Sequence, residues 1–201
     1  KNIENITYVV NFGGEVNHIN RKQTYSSHYQ GLKNLLNVLQ TKNIKKFIQI
    51  GSGLEYGKSL SPQNESYILK PLSNYAKAKS DATKLLIKFH KKNNFPAIII
   101  RPYQVYGPYQ DRNRLIPIII NACLNNKKFP CSSGNQSRDF LYVDDFVKAV
   151  FKLLIKKNNN GEIFNIGYGK AINVKKLIIF INQKIKKGFP DFGKIKMRSE
   201  E

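Results

Sequence analysis

The chain has 201 residues, 41% hydrophobic and 11% aromatic, which excludes an intrinsically disordered chain and allows one domain with a real core, or a large part of a bigger one. No apolar run approaches the roughly 18 residues of a membrane-spanning helix and no signal-peptide pattern is present, so a soluble, cytoplasmic protein with no membrane partner is expected. The formal net charge of +21 is scattered through Lys/Asn/Ile-rich stretches such as residues 42–46 and 156–160. No recognition helix, zinc finger or RNA-binding signature accompanies it, which argues against nucleic acid as the partner and suits an anionic small molecule.

Residues 6–12 read as a buried strand ended by Gly13 and Gly14. A helix is expected over residues 24–41, where Leu32, Leu35, Leu36 and Leu39 recur at i, i+3, i+4, i+7. Residues 46–50 form the next strand, ending at Gly51-Ser52. The run Gly51-Ser52-Gly53 with Gly57 has the wrong spacing for a dinucleotide-binding turn and reads as the start of a loop. Pro62 and Pro71 punctuate that loop before a long helix over residues 73–92, with Tyr75, Lys79, Ala82 and Leu86 on one stripe. Residues 96–100 are an apolar strand of the kind covered on both sheet faces.

Strand, helix, strand, helix, strand with short connections calls for a parallel α/β sheet. Beyond Arg101 come a helix near 115–125, a strand over 138–143, a helix over 144–156, a strand over 163–166 and a helix near 174–185. Residues 1–101 are expected to form a partial dinucleotide-binding domain. Residues 102–201 are expected to be mainly a substrate-binding region, with elements returning to the sheet. Cys123 and Cys131 lack metal-ligand spacing, and no metal is expected.

Tyr75 and Lys79 share a helix face about 6 Å apart along the axis. An ammonium there stabilises a phenolate and lowers the pKa of the tyrosine, as a phenol that moves protons near neutral pH requires. Ser52, 23 residues upstream, offers a hydroxyl to hold a substrate oxygen. A Tyr-x-x-x-Lys pair arises easily by chance among 11 Tyr and abundant Lys. Its setting, after a strand and a serine turn and at a helix start, marks it as a candidate site for making or breaking a C=O bond.

Further motifs stand in order around this trio: Val9-Val10-Asn11-Phe12-Gly13-Gly14, Arg101-Pro102-Tyr103-Gln104-Val105-Tyr106-Gly107-Pro108, Arg138-Asp139-Phe140-Leu141-Tyr142-Val143-Asp144-Asp145 and Gly161-Glu162-Ile163-Phe164-Asn165-Ile166-Gly167. With them the chain resembles the NAD-dependent epimerase/dehydratase family, the extended short-chain dehydrogenases/reductases that act on nucleotide sugars. The resemblance implies a Rossmann-like doubly wound parallel sheet, here lacking its first strands and the glycine-rich cofactor turn, with a small C-terminal substrate-binding region. It implies NAD or NADP as cofactor and a nucleotide-diphosphate sugar as substrate. Catalytic roles fall to Ser52, Tyr75 and Lys79. Cofactor contacts fall to Phe12, Gly13, Gly14, Tyr75, Lys79 and Tyr103, and substrate contacts to Gln104, Arg114, Phe129 and Arg138. For Arg138, an ion pair with Asp139 or Asp144 is the alternative reading.

Three departures from the family pattern matter. Gly53 and Leu54 follow Ser52 where 4,6-dehydratases carry an Asp-Glu pair, so dehydration lacks its acid and base, and Glu55 sits one residue late. His28 replaces a usual asparagine, with a packing role expected. Gln104 replaces another. An epimerase or 4-keto reductase is therefore the expected activity, and a non-catalytic fragment of such an enzyme is the alternative. A homodimer through the helices at 24–41 and 73–92 is open, since Leu32, Leu36 and Leu39 could equally face the sheet.

Overall fold

The computed structural model describes residues 6–15 and 20–196. In chain order they form β1 (Tyr8–Asn11), α1 (Arg21–Tyr25), a π-helical turn (Ser26–Gln30), α2 (Gly31–Leu39), β2 (Lys46–Ile50), a 3-10 turn (Gly53–Tyr56), α3 (Asn74–Asn93), β3 (Ala97–Pro102) and β4 (Gln104–Tyr106). There follow α4 (Leu115–Leu124), β5 (Lys128–Pro130), β6 (Ser137–Tyr142), α5 (Val143–Ile155), β7 (Ile163–Ile166), β8 (Ala171–Asn173), α6 (Val174–Ile185) and β9 (Phe189–Asp191). The chain divides into two units, one holding residues up to Pro102 with Lys148–Ile166, the other Tyr103–Val147 with residues from Gly167 onward.

The first unit is a parallel sheet in the order β1-β2-β3-β7. Every residue of β2 is buried, as expected of a strand covered on both faces. Phe47, Ala97 and Ile99 share one core with Leu32, Leu36 and Leu39 of α2 and Ala82 and Leu86 of α3. The α2 leucines thus face the sheet, where each fully buried side chain contributes about 2 kcal/mol.

Ser73 starts α3 by accepting a hydrogen bond from the Ala76 N–H (3.1 Å), and Asn94 in the left-handed conformation (φ +50°) ends it. The helix expected over 24–41 begins earlier, at Arg21, where Asn20 caps the Gln23 N–H at 3.1 Å. It is also interrupted by the π-turn, which an i, i+3, i+4 pattern does not reveal.

In the second unit β4 pairs parallel with β6, β6 antiparallel with β8, and β5 parallel with β9. Its core joins Ile119 and Cys123 of α4 to Phe129, Cys131 and, from α6, Val174 and Ile178. Both cysteines are buried and free. Strands of three residues, such as β4, β5, β8 and β9, are too short to show a period of two in the sequence.

Candidate active site

Parallel strands bring their carboxyl ends, and the turns that follow, to one edge of a sheet. There Asn11 of β1 lies opposite Gln49 of β2. The Asn11 amide donates to Gln49 Oε1 (2.8 Å) while Asn11 Oδ1 accepts from the Gly13 N–H (3.0 Å). Gln49 Nε2 donates to the Ile50 carbonyl (3.1 Å), which also accepts from Lys79 Nζ (2.8 Å). A continuous polar chain therefore joins the Gly13-Gly14 turn to the lysine of α3.

Lys79 is 5% exposed. Burial lowers its ammonium pKa to about 8, with the Glu55 carboxylate opposing. Its Nζ lies 5.7 Å from the ring centre of Tyr75, one helical turn earlier and half-buried. The His28 ring meets Tyr75 edge-on with centres 5.2 Å apart. His28 sits in the π-turn, its Nε2 3.1 Å from the Glu15 carbonyl, against Gly14. With φ +147°, Gly14 leaves its Cβ position to that ring, which any side chain there would overlap.

Ser52 caps the 3-10 turn, a correction to the loop expected after Gly51. Its Oγ accepts from the Leu54 N–H (3.2 Å), which leaves the hydroxyl proton to donate elsewhere. Its backbone N–H donates to Glu55 Oε1 (2.9 Å), completing a capping box. Glu55 is fully buried, and its Oε2 accepts from Thr83 Oγ1 (2.9 Å) and Arg101 Nε (3.1 Å). Arg101 Nη1 donates to the Tyr56 hydroxyl (2.7 Å), which donates to Asn165 Oδ1 (2.8 Å). Among the described residues no cluster of three or more His, Cys, Asp or Glu is placed to hold a metal.

The buried lysine makes the site pH-sensitive. Its pKa is lower folded than unfolded, so between about pH 8 and 10.5 the folded state binds fewer protons. Stability from this group therefore rises across that window, and below it the full burial cost stands. The interval corresponds to at most about 3 kcal/mol. Urea unfolding of wild type and Lys79→Met is expected to show wild type gaining on the variant from pH 8 to 10.5. A constant difference would overturn this reading of Lys79.

Residues 1–167 match the family model described as NAD dependent epimerase/dehydratase family. The chain belongs to that family.

As an epimerase/dehydratase-family chain it is similar to the dTDP-D-glucose 4,6-dehydratase of Homo sapiens, 34% identical over 165 residues, covering 81% of this chain and 47% of that protein. Among solved structures it is similar to the dTDP-glucose 4,6-dehydratase of Bacillus anthracis in complex with NAD, with a TM-score of 0.86 and 27% identity over 96% of this chain and 61% of that one. It is also similar to the UDP-glucuronic acid 4-epimerase of Bacillus cereus, solved in a mutant form with a fluorinated UDP-sugar and NAD, with a TM-score of 0.90 and 25% identity over 98% and 64%. The chain spans about half the length, or less, of the curated relatives it matches.

The family's α/β Rossmann-type architecture is the one observed. Ser52, Tyr75, Lys79, Phe12, Gly13 and Gly14 all lie in the first unit, with Phe12 exposed. Tyr103, Gln104, Arg114, Phe129 and Arg138 lie in the second. There Tyr103 packs near Gly167, Gln104 opens β4 exposed, and Arg114 stands just before α4 without a capping hydrogen bond from its side chain. Phe129 is a core residue. Arg138 Nη1 donates to the Ser137 carbonyl (2.9 Å). Asp139 accepts the Tyr168 and Gly169 N–H groups, each at 2.7 Å. No helix among the described residues is long and apolar enough to cross a membrane.

The roles of Asn11, Gln49, Glu55, Thr83 and Arg101 escape sequence reasoning. Two signals were available: Ser-x-x-Glu at 52–55 is a capping-box spacing, and Thr83 continues the Tyr75-Lys79 stripe by one more turn.

Proposed function

We propose that the chain supplies the proton-transfer half of an NAD(P)-dependent nucleotide-sugar epimerase or 4-keto reductase. The supporting observation is the placement of Lys79. It is buried, one turn from Tyr75, and bonded to the carbonyl of Ile50, two residues before Ser52. Tyr75 exchanges a proton with the reacting oxygen of the sugar. Ser52 donates a hydrogen bond to that oxygen and orients it. The Lys79 ammonium favours the phenolate, and its burial strengthens the field it exerts.

The residues at the sheet edge fit a dinucleotide. Gly14 is without a side chain in a conformation that favours glycine, and Asn11 holds the Gly13 N–H in place. Phe12, Gly13, Gly14, Tyr75 and Lys79 of the first unit would hold the cofactor. When bound, a nicotinamide accepts and returns the hydride. Gln104, Arg114 and Arg138 remain the proposed substrate contacts, the arginines because a guanidinium fork suits diphosphate oxygens. Phe129, buried in the core, is not kept among them.

Relatives include dehydratases, yet elimination of water needs an additional acid and base. Gly53 and Leu54 offer neither, and the carboxylate of Glu55 is buried and engaged by three donors. The reading is tested by incubating the intact protein with UDP-glucose or dTDP-glucose and NAD or NADPH. A 4-epimer, or reduction of a supplied 4-keto sugar, is expected. A 4-keto-6-deoxy product would overturn it.

A second reading, a piece unable to bind dinucleotide by itself, is favoured by the partial coverage of the relatives. Titrating NAD(H) and NADP(H) into the 201-residue chain separates the two. Tight stoichiometric binding would contradict the second.

A further inference from the structure

We infer that Glu55 is a positioning residue, whose carboxylate clips the Ser52 turn to the helix carrying Tyr75 and Lys79. The inference rests on the roles proposed above for those three side chains. Three elements converge on this one group. Oε1 holds the Ser52 N–H, and Oε2 holds Thr83 of α3 and Arg101 of β3. Thr83 stands four residues after Lys79 and eight after Tyr75, so a bond at Thr83 sets both the rotation of α3 and its height against the serine turn. Arg101 is itself held by Tyr56, whose hydroxyl bonds Asn165 of β7, so the clip is anchored to two sheet strands.

The surroundings admit no looser arrangement. A Cβ at Gly51 would come within 2.5 Å of Glu55 Oε1, so the turn passes the carboxylate closely. Glutamine in its place presents an NH2 to one of three donors. Aspartate is one methylene short. A capping box needs no buried charge, and buried ion pairs are often no more stabilising than apolar packing. What the carboxylate provides here is geometry: two oxygens that together accept from three elements. A misplacement of about 1 Å at a reacting group can cost on the order of a hundredfold in rate.

The test uses the intact protein and two readouts. Thr83→Val removes only the bond to α3 and leaves those to Ser52 and Arg101. For whichever of UDP-glucose and dTDP-glucose the wild type converts, kcat is expected to fall roughly tenfold or more with KM within about twofold. Thr83→Ser, which keeps the hydroxyl, is expected to restore it. In Glu55→Gln, and less strongly in Thr83→Val, hydrogen exchange at the Ser52 amide is expected to accelerate about tenfold beyond that at Leu32 and Leu36. Exchange at Ser52 that changes only in step with those leucines would overturn the clip, as would wild-type kcat in Thr83→Val where Tyr75→Phe is inactive. If Tyr75→Phe keeps full activity, the proposed function fails, and exchange at Ser52 still decides the clip.

Discussion

Tyr75→Phe is expected to lower kcat by about 10²- to 10⁴-fold, the range for losing a positioned acid/base, while leaving the fold intact. The ring keeps its edge-on contact with His28 (5.2 Å between centres) and its place beside Lys79, because phenylalanine fills the same volume. Only the phenolic oxygen is lost, so KM is expected to change little while kcat collapses. Steady-state assay of the intact protein with a converted nucleotide sugar, beside a thermal unfolding curve, separates chemistry from folding. Near-wild-type turnover would sink the assignment of Tyr75.

Arg101→Met is expected to destabilise the first unit by about 3–5 kcal/mol, the cost of leaving one member of a buried ion pair uncompensated. Arg101 is 1% exposed and Glu55 fully buried, so water cannot take over for the lost guanidinium. Tyr56 loses its donor too, and with it one bond to a fully buried ring. The double variant Glu55→Leu, Arg101→Met removes both charges and is expected to recover most of that stability. Urea unfolding of the two single variants and the double one checks this. Additive losses would show that the pair is not coupled.

The strands of the first unit were legible because each is a mainly apolar run with a glycine or proline close to one end, and the expected bounds of β7 are those observed. The long helix α3 was legible from Ser73, whose capping role needs only local chemistry. Where several side chains meet at one point, the sequence is mute. Glu55 looked like a residue out of register with the dehydratase pattern. Its function as an acceptor appears only when α3 and β3 bring Thr83 and Arg101 to it from 28 and 46 positions away. The π-turn at residues 26–30 was likewise hidden, because the leucines that carry the helical spacing, Leu32 to Leu39, all lie after it and keep their phase.

By itself the sequence determined the α/β alternation and the i, i+4 pairing of Tyr75 with Lys79, since these depend on spacing along one strand or helix, and its ordered motifs carried the resemblance to the family. Tertiary structure alone decided that the α2 leucines serve the sheet, that His28 packs between Gly14 and Tyr75, and that a buried glutamate ties the serine turn to the tyrosine's helix. The physical reason is burial. An ion pair or an imidazole is held where it is by what surrounds it on every side, and those neighbours come from distant parts of the chain.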